Sequence, residues 1–159
     1  METWDEAARW ALGMMYTQVR RMPRADLLQI RSDLDGFIDE LFHAPAGANK
    51  AVAMWSVIGA DAVELSIKRG IPQTIDGVHA TLIRKQRDYG HENIRRFGRQ
   101  GLMVRMHDKV ARLENLLASD DGGVKPNNES IEDNIMDVIG YAAIGIMWES
   151  RLFLLPLAK

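Results

Sequence analysis

Helical periodicity runs through almost the whole chain and leaves little room for another class of fold. Apolar residues fall at i, i+3 and i+4 over Trp4, Ala7, Ala8, Ala11, Leu12, Met15 and Val19, up to the Met22-Pro23 break. That spacing builds one buried face of a helix, and proline cannot continue it. A second helix is expected from about Arg24 to Phe42, with Leu27, Leu28, Ile30, Leu34, Ile38 and Leu41 as its stripe, before the loop His43 to Gly47. Asn49 is placed to cap a third through Ala53, Trp55, Ile58, Ala62 and Leu65, stopped by Gly70 and Pro72. Thr74 is placed to cap a fourth that ends near Tyr89-Gly90. After a turn-rich piece holding Gly90, Gly98 and Gly101 comes a helix with Val104, Val110, Leu113, Leu116 and Leu117. Ser119 to Gly123 breaks it, and Pro126 to Asn128 leads into a last helix from about Ser130 through Ile146. No segment alternates as a strand would, and no repeat, heptad run or low-complexity tract appears. The chain is therefore expected to be all-α, five to six helices joined by short loops in a single domain over residues 1–159.

That length suits one domain with a core of its own. The 47% apolar and 26% charged residues are ordinary for a globular chain. There is no cysteine, which excludes disulfides, thiolate metal sites and a cysteine nucleophile and fits a reducing, cytoplasmic setting. METWDEAARW is no signal peptide. The apolar stretch Ile135–Leu157 is interrupted by Asp137, Glu149 and Arg151, so it reads as a buried helix and not a membrane span. Glycine-rich phosphate loops and a nucleophile elbow are missing from the sequence, which removes the main support for dehydrogenase, P-loop kinase and serine-hydrolase readings.

Two apolar segments point to self-association. The first helix carries Trp4, Trp10, Met14, Met15 and Tyr16, and the tail runs Leu152-Phe-Leu-Leu-Pro-Leu157. Exposed, such surface marks an interface and predicts a homo-oligomer; the other arrangement is that the two segments cover one another.

Charge is uneven beneath a net of −2, a balance that argues against a stable nucleic-acid complex. Arg84–Arg112 carries net +6, and Asp120–Asp137 carries net −5. A basic segment before an acidic one describes either two faces that neutralise each other or a phosphate cradle beside a carboxylate cluster. Glu129, Asp133, Asp137 and Tyr141 recur every four residues, which lines them up in one row on a helix. Glu129 and Asp133 also fit a helix start, where acids complement the dipole. Asp137 lies among Ile135, Met136, Val138 and Ile139, and a carboxylate at that depth needs a base or a metal as partner. Arg112 is one candidate base. Asp108 on the preceding helix is expected to face the row across a groove, and a hard Mg²⁺ or Mn²⁺ suits such oxygens. Lys85, Asn93 and Arg96 around the Gly90 turn offer donors to phosphate or base edges. Arg105, Asp108 and Arg112 share a face with Lys109 beside it, as either a ligand-facing set or a salt-bridge ladder.

The ordered trio DYGHEN (88–93), RMHDKVARLENL (105–116) and NESIEDNIMDVIGYAAIG (128–145) resembles the nucleotide-modification-associated domain of phage proteins, often labelled MazG-like. The resemblance covers about residues 75–148 and leaves 1–70 unassigned. More remotely, the chain is similar to the all-α nucleoside triphosphate pyrophosphohydrolases. The resemblance implies a Mg²⁺-dependent deoxynucleoside triphosphate pyrophosphohydrolase of phage nucleotide metabolism, acting in the host cytoplasm. Asp108, Asp133 and Asp137 would be catalytic, and these with Glu129 would hold the metal. Ions there would bridge the phosphates and activate a water for attack on the α-phosphorus. Lys85, Arg105, Lys109 and Arg112 would neutralise phosphate charge, and Asp88, Tyr89, Asn93 and Tyr141 would complete the nucleotide site. The alternative is a protein of the same fold that binds and sequesters a nucleotide or a nucleotide-derived signal without cleaving it.

Overall fold

A computed structural model describes residues 1–19, 26–43, 47–118 and 128–159, and the side chains of all of these except 42 and 128–130. The elements are α1 (Trp4–Val19), α2 (Leu27–His43), α3 (Ala48–Lys68), α4 (Ile75–Tyr89), α5 (Glu92–Arg95), α6 (Gly98–Ala118) and α7 (Asn128–Glu149). No strand occurs among the described residues, so the fold is all-α as the periodicity predicts. The expected breaks at Met22-Pro23 and Ser119 to Gly123 lie outside the described residues, as does Pro126. None of the described helices is long and apolar enough to cross a membrane.

Among the described residues the helices already exceed the expected five to six, because the turn-rich piece folds further than its glycines suggest. Glu92–Arg95 closes a single turn, and α6 begins at Gly98. Gly90 and Gly98 have φ of 65° and 56°, values an L side chain rarely adopts, so they supply the bends on either side of that turn. Thr74 caps α4 as expected, its side chain accepting from the Gly77 N–H at 3.1 Å. Asn49 does not cap α3: Gly47 holds the N-cap position, and Asn49 lies in the first turn.

The centre of the bundle is α3, which packs against α1, α2 and α7. A helix covered on three sides has no solvated face in its middle, and residues 58–63 of α3 are all buried. Its closest approach to α7 runs over glycines. A Cβ built on Gly145 would lie 2.4–2.7 Å from three ring atoms of Trp55. Trp55 is fully buried and held edge-on by Phe37, with ring centroids 4.9 Å apart, so the indole cannot retreat. Gly145→Ala should therefore destabilise the fold by about 2–3 kcal/mol, read as a drop in the urea midpoint. An unchanged midpoint would mean that the α3–α7 seam tolerates more separation than this packing allows.

The two apolar segments near the ends of the chain cover each other. Trp4 packs edge-to-face on Phe153, centroids 6.1 Å apart, and both are fully buried. The Trp4 backbone N–H donates to the Pro156 carbonyl at 2.7 Å, and the Ala158 backbone N–H to Asp5 Oδ1 at 2.8 Å. Met15 is also fully buried. The surface that suggested a homo-oligomer is thus largely enclosed within one chain, with Trp10 and Leu154 still exposed. This clasp also docks α1 on α4: Arg9 pairs with Asp76 at 2.9 Å, and His79 Nε2 lies 2.7 Å from the Asp5 carbonyl. Trp4 is thereby fixed against α4.

Candidate functional site

A cavity of about 260 Å³ opens where α1, α4, α6 and α7 meet the α5 turn. Its apolar wall comes from Val78 and Leu82 of α4, Ile94, and Met136 and Ile144 of α7. Its polar wall collects six of the sequence-predicted ligand residues: Lys85, Tyr89, Asn93, Arg105, Asp137 and Tyr141. Lys85 and Tyr89 lie one turn apart on α4, and Asp137 and Tyr141 one turn apart on α7, so each helix offers one charge and one phenol to the same space.

Asp137 is where the helices are tied together. Lys85 Nζ donates to its Oδ1 at 2.8 Å, and Lys109 Nζ lies 3.0 Å from its Oδ2. Asp137 is 19% exposed, Lys109 28% and Lys85 47%. The buried-carboxylate argument therefore finds its partner in bases, and in two lysines instead of Arg112. Arg105 Nη2 donates to the Asn93 carbonyl at 3.3 Å, which fastens the α5 turn to α6. With three cations and one carboxylate, this rim keeps a positive excess.

The remaining predicted residues do not join this set. Lys109 points across the seam to α7, so Asp108, one residue earlier and about 100° round the helix, turns toward solvent. Its side chain is 73% exposed, with His107 Nδ1 at 3.9 Å. Arg112 is exposed for the same reason, and Asp88 and Asp133 are exposed as well. The Glu129 side chain lies outside the described residues. The expected convergence of Asp108 with the α7 row is thus not what the helices produce. Among the described residues, no group of three or more histidines and acids is placed to hold a metal ion. The donor set tells the same way: both oxygens of Asp137 already face ammonium groups, and a hard cation would have to displace them.

Sequence reasoning missed Trp4, Thr81, Gln86 and Gly140 in the lining. Trp4 carried signals only for packing and self-association, as part of the apolar surface of α1. Gly140 allows α4 to come close, since a Cβ there would meet Leu82 Cδ2 at 3.3 Å.

Comparison with models of protein families, with curated proteins and with solved structures finds no match.

Proposed function

We propose that this chain binds a nucleotide or a nucleotide-derived small molecule in the α4–α7 cavity. The observation that carries the reading is the half-buried Lys85–Asp137–Lys109 cluster beside an apolar cavity with phenols from two helices. Ammonium groups gathered at the edge of a cavity are suited to receive phosphate through charge-assisted hydrogen bonds. Tyr89 and Tyr141 offer flat faces to a base, and the apolar wall excludes water from it. The binding form of the reading is favoured over Mg²⁺-dependent pyrophosphohydrolysis, because Asp137 is engaged by lysines while Asp108 and Asp133 face solvent.

A thermal-shift and calorimetry panel of nucleoside mono-, di- and triphosphates and cyclic dinucleotides should give at least one saturable ligand. Lys85→Met should weaken that ligand by about 10- to 100-fold, the loss expected for one charge-assisted hydrogen bond. No binding by the folded protein to any member of the panel would overturn the proposal. Release of pyrophosphate from a triphosphate in the presence of Mg²⁺ would instead favour the hydrolase.

A further inference from the structure

We propose that Asp137 is a resident counter-anion that competes with the ligand for the rim lysines and so sets how much negative charge a ligand needs. The inference rests on the reading of the cavity as an anion-binding site. One carboxylate bridges two ammonium groups from different helices, with Oδ1 to Lys85 at 2.8 Å and Oδ2 to Lys109 at 3.0 Å. Lys85 lines the cavity together with Asp137. Any anionic group that reaches Lys85 there also comes close to Asp137, and like charges at such a rim repel strongly because the carboxylate is mostly shielded from water.

Each ammonium has three N–H donors. Lys85 therefore has donors left after its bond to Asp137, and it can shift from the carboxylate to a ligand while Lys109 retains Asp137. A singly charged anion gains little from that exchange. A diphosphate or larger group offers enough charge to offset the loss of the Lys85–Asp137 pair, a fixed cost that an anion of low charge does not meet.

The test uses inorganic pyrophosphate as the probe, measured by calorimetry on the full chain. Asp137→Asn keeps the shape and removes the charge. It should bind pyrophosphate at least about tenfold more tightly than the wild type. The double variant Asp137→Asn/Lys109→Met removes the ammonium left without its partner, and so guards against a folding defect in the single variant. It should also bind pyrophosphate more tightly than the wild type, because Lys85 no longer has a competitor. Equal or weaker pyrophosphate binding by the folded variants would overturn the proposal, and a loss of Mg²⁺-dependent binding in Asp137→Asn would make Asp137 a metal ligand. The nucleotide reading fails separately, on the wild-type panel alone, since the gain for pyrophosphate requires no nucleotide.

Discussion

Asp61→Asn should be more stable than the wild type, and its advantage should grow by about 1 kcal/mol for each pH unit between about pH 5 and pH 8.5. Asp61 is fully buried on α3, with its carboxyl against the side chain of Asp33. Burial pushes its carboxyl up to about 9, and Asp33 beside it and Asp26 further off hold it up. In the unfolded chain the same group ionises near the ordinary 3.8. Below that value both states carry the proton and the group costs nothing through linkage. As the pH rises from there toward 9, the unfolded chain gives up its proton while the folded protein keeps it, so stability falls throughout the interval. Above about 9 the folded state ionises too, and the slope disappears. Asparagine has no proton to lose in this range, so the difference between the two proteins reports Asp61 and its coupling to Asp33 and Asp26. Urea melts at several pH values measure it, and parallel curves for the two proteins would sink the assignment.

Arg99→Leu should cost about 3–5 kcal/mol, and a second change at Glu149 should restore most of it. Arg99 ties the start of α6 to the end of α7 through two parallel bonds, Nε to Oε1 at 2.5 Å and Nη2 to Oε2 at 2.8 Å. The Glu149 side chain is only 7% exposed and that of Arg99 19%. The guanidinium pKa is raised, first of all by its hydrogen bond to Glu149. Removing the arginine leaves a carboxylate shut away from water with its charge unanswered, which is the expensive case. Arg99→Leu/Glu149→Leu removes both charges and fills the space with apolar atoms, a replacement that is often neutral. Thermal or urea unfolding of the two variants checks this. A double variant as unstable as the single one would locate the cost in lost packing instead of the stranded charge.

The sequence carried the helices well because each rests on local chemistry. Thr74 reads as a cap and caps, and the α1 stripe reads as buried and is so from Trp4 to Met15, with Val19 partly buried. It failed at Asn49, where the neighbouring Gly47 adopts the extended cap conformation without any side-chain bond. The candidate site was legible in part. Asp137 stands in an apolar run, so a partner was required, and Lys85, Tyr89, Asn93, Arg105 and Tyr141 reach the same cavity. Which partner it takes depends on how α6 is rotated about its own axis, and that rotation is set by contacts with α2 and α7 far along the chain. The i, i+4 spacing fixes which residues share a row but not which way the row faces, so Lys109 meets Asp137 where Asp108 was expected. Asp61 went unread because a lone acid among small apolar residues looks like an interruption on one face. Only a helix packed on three sides leaves it nowhere to go.

The cavity takes Trp4 from the first helix and Asp137, Tyr141 and Ile144 from the last. On a ribosome Trp4 is made well before Asp137, Tyr141 and Ile144. A nascent chain therefore has no complete site until α7 has left the exit tunnel. A ligand of this cavity would therefore find no complete site among the early helices and would act only once α7 has joined them. Bound there, it would oppose unfolding of the whole bundle at once, by an amount that grows with the logarithm of its concentration over Kd.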